Sequence, residues 1–124
     1  MKWPFQGGAR RQEASSDAVF RPSLHLTDWV SPRRMMRIEG SPSIDDLLMM
    51  LLDRVAAEFP RVPKDAVCRE MLDRESVFPT AIGRGVAIPH GTCEALRGPL
   101  VSIAQLPDGM EFAAPDRQPV RLVF

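Results

Sequence analysis

His90 is the residue best placed in this chain to act as a nucleophile. It follows Val86-Ala87-Ile88, a short apolar run of strand character, and Pro89, which has no N–H and so ends any pairing there. Gly83 and Gly85 bracket a tight turn ahead of the run, and Gly91 after it lets a ligand or partner backbone come close. An imidazole at the end of a strand has a rigid base and an exposed tip, which suits nucleophilic catalysis. Spacing alone does not separate such a site from an ordinary surface histidine. Cys93 stands three residues further on, but two ligands do not make a metal site. No other Cys/His cluster completes one, so no metal and no cofactor is expected. His25, beside the N-terminal tail, reads as a bystander.

The elements that must hold His90 are visible to different degrees. Ile44, Leu47, Leu48, Leu51, Leu52, Val55 and Phe59 recur at helical spacing and predict a helix over 42–59. Ser41-Pro42 or Ser43 starts it, Asp45 and Asp46 favour its positive end, and Pro60 stops it. Pro63 and Asp65 open a second helix with Ala66, Val67, Met71 and Leu72 as its apolar side, ending near Arg74. Before the first helix, Thr27 caps a short helical turn that Ser31-Pro32 breaks, and Met35–Ile38 forms a short strand up to Gly40. After Glu75 short strands are expected at Val86–Ile88, Leu100–Leu106 and Val120–Phe124. Pro107-Asp108-Gly109 reads as a hairpin turn between Leu106 and Met110. Helices followed by short strands imply an α/β fold, a mixed sheet flanked by helices. Within it Arg74 is a helix-end cation, and Thr92 is a cap for a short helix over Cys93–Leu96.

The 124 residues supply one domain's worth of chain. Residues 1–23 read as a poorly structured tail, in which Trp3 and Phe5 are the exceptions. The domain then runs from 24 to 124. Lys and Arg number 16, as do Asp and Glu, so nothing draws the chain to nucleic acid or a membrane surface. All but Lys2 and Lys64 of the basic residues are arginine, so an arginine needs a positional argument before it carries meaning. Two cysteines are too few for a disulfide framework. There is no apolar run of roughly 20 residues and no signal peptide at Met1–Phe5, so a cytoplasmic location is expected.

The stretch Gly83-Arg84-Gly85-Val86-Ala87-Ile88-Pro89-His90-Gly91 resembles the active-site signature of the fructose- and mannitol-type IIA domains of the phosphotransferase system. These type-2 EIIA domains include the nitrogen-regulatory IIA proteins. Leu26-Thr27-Asp28-Trp29-Val30-Ser31-Pro32 is similar to the family's opening, and Arg74-Glu75-Ser76 to its Arg-Glu pair. Asp108-Gly109-Met110-Glu111-Phe112 resembles its Gly-x-x-Phe hairpin, and Gln118–Phe124 its next core strand. The resemblance implies that His90 accepts phosphate from the small carrier HPr or its nitrogen-branch paralogue. It implies onward transfer to a IIB domain, or use of the phosphate as a regulatory mark on binding to a target protein. By the same resemblance Arg74 pairs with the phosphoryl oxygens, and Thr80, Thr92 and the backbone N–H groups around Gly91 add donors.

Two departures accompany the match. Ala81 stands where the family has glycine, which costs stability if that position needs a positive φ. The family's domain also continues past the position of Phe124, through further sheet, helices and a second histidine. The resemblance therefore implies a IIA-like fold truncated at the C-terminus, with a catalytically inactive remnant as one alternative. Val120, Leu122 and Phe124 alternate and should face a core, so an uncovered strand here is expected either to invite self-association or to leave the fold only marginally stable.

Overall fold

The computed structural model describes residues 25–124. The tail expected over 1–23, with Trp3 and Phe5, lies outside the described residues. The strongest periodic signal forms helix α1, Ile44–Glu58, capped by Ser43, whose Oγ accepts from the Asp46 N–H at 3.2 Å. Asp45 and Asp46 occupy the first turn, where carboxylates meet the positive end of the helix dipole. The apolar stripe is broad enough to serve two neighbours. Leu47 and Leu51 join Ala87, Ala104, Leu106 and Val123 of the sheet. Leu48, Leu52 and Val55 join Val62, Val67 and Cys68 in a second cluster. Phe59, expected on this face, is 39 % exposed, because the chain has left the helix there with φ −126° and ψ 81°.

Helix α2, Lys64–Val77, outruns its expected end. Residues 75–77 contain no glycine or proline, and the first stop is Phe78, held extended by the following Pro79. Arg74 consequently sits in the last turn, as the helix-end reading required. Ala66 is exposed, and Cys68 takes its place on the buried side.

Five strands form one mixed sheet: β1 Val30–Arg37, β2 Ala81–Gly83, β3 Val86–Ala87, β4 Val101–Met110 and β5 Val120–Val123, in the order β1-β4-β5-β3-β2. β1 runs parallel to β4, and β3 parallel to β5; β4 with β5 and β2 with β3 are antiparallel. The expected α/β architecture of a mixed sheet flanked by helices is present. Among the described residues no helix is long and apolar enough to cross a membrane.

Three local expectations are corrected. Thr27 lies inside a 3-10 turn, Leu26–Asp28, without a side-chain cap. Ser31-Pro32 belongs to β1, an edge strand whose register with β4 shifts between Val30 and Met35, so the proline N is not needed for pairing. Arg34 of this strand is 5 % exposed; it pairs with Glu58 at 2.7 Å and donates to the carbonyls of Trp29 and Val101.

The second correction is at Pro107-Asp108-Gly109, which makes no hairpin turn. β4 continues through it to Met110, with a register shift against β5 between Gln105 and Met110. Gly109 has φ +75°, and Asp108 Oδ2 accepts from the Gly40 N–H at 2.7 Å, so an irregular strand segment is tied to the chain before α1.

The third correction concerns the C-terminal strand. β5 is not an edge: it lies between β4 and β3. Nor do Val120, Leu122 and Phe124 share a face. The N–H groups of Arg121 and Leu122 both bond to the Gly85 carbonyl, a bulge that shifts the alternation by one residue. Val120 and Val123 are fully buried as a result, while Leu122 is 37 % exposed. Self-association through an open edge at this strand loses its premise.

Candidate functional site

The route to His90 begins at the turn Gly83-Arg84-Gly85, where three successive residues have φ of +91°, +56° and +77°. Glycine adopts this conformation without penalty, and Arg84 is held in it from outside. Asp116 Oδ2 accepts from the Arg84 N–H at 2.7 Å, and Oδ1 from the Gln118 N–H at 3.1 Å. The Arg84 and Gln118 amides together hold the Asp116 carboxyl below the usual carboxylate range. Ala81 does not share the positive φ; it fits β2 as a buried residue, and the anticipated cost of replacing glycine does not arise.

From the turn, β3 runs for two residues between β2 and β5. The Ile88 N–H still donates to the Thr80 carbonyl at 3.1 Å, and Pro89 then ends the pairing. His90 emerges exposed, with Nδ1 3.0 Å from the Ile88 carbonyl oxygen. A carbonyl only accepts, so Nδ1 carries the proton in the neutral ring and Nε2 keeps its lone pair. The ring is therefore oriented by its own backbone, and Nε2 makes no hydrogen bond among the described residues.

Helix α2 backs the loop that follows. A Cβ at Gly91 would lie 2.8 Å from Met71 Cγ, so glycine allows the backbone to rest on the helix. Thr92 donates from both Oγ1 and N–H to Glu70 Oε1, at 3.1 and 3.4 Å. It caps no helix: residues 93–96 form a turn closed by the Leu96 N–H on the Cys93 carbonyl at 3.2 Å. Thr80 is held from the same helix. Its hydroxyl donates to Glu75 Oε2 at 2.6 Å and its N–H to Oε1 at 2.9 Å, with Glu75 only 7 % exposed. Arg74 is exposed, and its guanidinium makes no hydrogen bond or ion pair among the described residues; its spacing from Glu70 puts both on one face of α2.

The structure thus sets Gly91 and Thr92, which follow His90, against α2, the helix that also carries Arg74, and commits the Thr80 hydroxyl to Glu75. Sequence reasoning missed Glu70, Met71 and Asp116. For Glu70 a signal existed in its helical spacing from Arg74; for Asp116 the sequence offers none. An apolar groove of about 390 Å³ opens beside the imidazole, lined by Leu48, Leu52, Met71, Cys93 and Phe124. Both cysteines are free thiols, and burial pushes the Cys68 thiol up, away from a reactive thiolate. No group of three or more His, Cys, Asp or Glu among the described residues is placed to hold a metal ion.

Residues 36–124 match the family model described as phosphoenolpyruvate-dependent sugar phosphotransferase system, EIIA 2. The chain is 30 % identical over 96 residues to the PTS system fructose-specific EIIA component of Haloferax volcanii, covering 77 % of this chain and 62 % of that protein. It is 36 % identical over 101 residues to the nitrogen regulatory protein of Bradyrhizobium diazoefficiens, covering 82 % and 65 %. The chain therefore spans somewhat under two thirds of the length of these relatives. Among solved structures, IIA-Ntr of Neisseria meningitidis superposes with a TM-score of 0.69 at 23 % identity, covering 80 % of this chain and 67 % of that one. A chain from the complex of enzyme IIA-Mtl with phosphorylated enzyme IIB-Mtl of Escherichia coli gives 0.57, also at 23 % identity, covering 76 % and 66 %. The two superpositions establish the common fold.

Proposed function

The chain belongs to the EIIA 2 family of the phosphoenolpyruvate-dependent sugar phosphotransferase system, and from that premise we propose that it carries a phosphoryl group on Nε2 of His90. The observation that carries this reading is the exposed imidazole whose Nδ1–H is tied to the Ile88 carbonyl, leaving the Nε2 lone pair free. The donor is an HPr-like phosphohistidine protein or its nitrogen-branch paralogue, and the acceptor a IIB domain. The Nε2 lone pair attacks phosphorus in line as the donor's N–P bond breaks, and the departing nitrogen keeps that electron pair. Nδ1 retains its proton throughout, and the Ile88 carbonyl stabilises the positive charge the ring gains. Arg74 pairs with the phosphoryl oxygens through its guanidinium fork, and Thr92 with the N–H groups around Gly91 supplies further donors. Thr80 serves the site through its bonds to Glu75 rather than by reaching the phosphate.

A second reading is favoured by the 36 % identity to a nitrogen regulatory protein. In it the phosphate on His90 sets binding to a target protein and no sugar is involved. Both readings share the first step. Incubation with enzyme I, HPr and phosphoenolpyruvate should add one acid-labile, alkali-stable phosphate, detected by mass and located on His90. Full labelling of a folded His90→Ala protein would sink the assignment. Arg74→Lys should slow transfer far more than it lowers melting temperature, since lysine loses the fork geometry; parallel losses would make Arg74 structural.

A further inference from the structure

Thr92 is the side-chain donor nearest to His90 in sequence, and it is already taken. Its hydroxyl and N–H converge on a single oxygen, Glu70 Oε1, at 3.1 and 3.4 Å, at the exposed surface. Long, exposed hydrogen bonds of this kind contribute little net free energy and exchange readily with other partners. A phosphoryl group on Nε2 brings close to two negative charges and three acceptor oxygens to the same neighbourhood. Glu70 and the phosphoryl group are then like charges with a claim on the same two donors.

We propose, resting on the phosphocarrier reading of His90, that Glu70 is a positioning residue acting through Thr92: it holds the Thr92 hydroxyl and N–H while His90 is bare and yields them to the phosphoryl oxygens after transfer. The competition makes the loaded form less favourable than Thr92 alone would make it, so Glu70 tunes how readily the phosphate is passed on. The exchange is local. Gly91 has no side chain to lock the loop, and Met71 behind it presents the flexible part of its side chain.

The test uses the full chain and phosphoramidate, a small-molecule donor whose P–N bond breaks, with loss of ammonia, as Nε2–P forms. Wild type, Glu70→Ala, Glu70→Gln, Thr92→Val and the Glu70→Ala/Thr92→Val double variant are loaded, and label on His90 is located by mass and followed through hydrolysis. Glu70→Ala should lengthen the phosphohistidine lifetime roughly three- to tenfold, the scale of one ordinary, exposed hydrogen bond. Glu70→Gln, which keeps an acceptor but no charge, should fall between. In the Thr92→Val background, which keeps only the backbone N–H, the Glu70 substitution should have a clearly smaller effect, and in wild type the Thr92 amide resonance should move on loading. Unchanged lifetimes in Glu70→Ala, effects that simply add in the double variant, or a stationary Thr92 amide would each overturn the proposal. Failure of the phosphocarrier reading looks different: HPr delivers no label, while phosphoramidate still loads His90 and the cycle still reads the coupling. If phosphoramidate also leaves His90 bare in folded wild type, both readings fall.

Discussion

Helix α2 makes the same chemical contact twice, with opposite character. Glu75 offers one oxygen to each of two Thr80 donors, at 2.6 and 2.9 Å, in a nearly dry setting. Glu70 offers one oxygen to both Thr92 donors, at 3.1 and 3.4 Å, in water. The residue types, the helix and the atoms are alike; solvent and geometry differ. A buried carboxylate that loses its partners leaves charged and polar groups unpaired, whereas an exposed one trades them for water at little cost. The first contact anchors the start of β2, and the second can let go. A glutamate–threonine pair therefore says nothing about permanence until its burial is known.

The largest effect that sharpens this contrast is expected at Glu75. Glu75→Ala should lower unfolding free energy by about 2–3 kcal/mol, because it orphans the Thr80 hydroxyl and N–H. Glu70→Ala should stay within about 0.5 kcal/mol. Urea unfolding of the two variants decides it, and equal losses would erase the distinction. A smaller effect is expected where α2 touches the loop between them. Gly91→Ala places a methyl group 2.8 Å from Met71 Cγ and should cost about 1 kcal/mol, partly recovered by Met71→Ala. A neutral Gly91→Ala would mean that the loop already stands off the helix, weakening the case that Glu70 alone controls its release.

The smallest effect comes from a third carboxylate, Asp116, which holds backbone N–H groups and no threonine. Its folded pKa lies below the unfolded value, so its contribution is present above the ordinary carboxylate range and fades as pH falls through the depressed folded value. The Arg84 and Gln118 amide resonances should titrate together in that acid window, and Asp116→Asn should abolish the transition. Titration of the Arg84 amide at an ordinary aspartate value would show that the exposed clamp is as loose as the one at Glu70.

How much was legible in the sequence depended on what each feature rests on. α1 announced itself because seven apolar residues repeat at helical spacing and a serine and a proline mark its ends. The approach to His90 was legible because glycine and proline act through their own backbones, whatever surrounds them. The face of β5 was not, since alternation holds only until a bulge intervenes, and the bulge here is set by Gly85, far away in the chain. Pro107-Asp108-Gly109 carries turn residues yet lies within a strand, because Gly40 and Ser41 hold Asp108 and Gly109 from outside. Thr80 and Thr92 were both read as phosphate donors; which of them is already bound, and how firmly, is a tertiary fact. Glu70 and Asp116 both act on residues distant in sequence; helical spacing from Arg74 marks the face Glu70 lies on, and no local pattern marks Asp116.

The place of β5 in the sheet has a consequence for the order in which the molecule assembles. β3 carries the chain to His90, and of its two neighbours only the three-residue β2 is local. The other is β5, from the far end of the described residues, and β1 likewise waits for β4. Pairings this distant in sequence form late, after the entropy of closing long loops has been met, whereas α1 and α2 can dock early through neighbouring turns. As the chain leaves the ribosome, then, His90 is synthesised well before the strand that fixes its position. The strand that carries the imidazole gains its long-range neighbour only when Val120–Val123 slots between β4 and β3, so the placing of His90 in the fold and the completion of the sheet are one event.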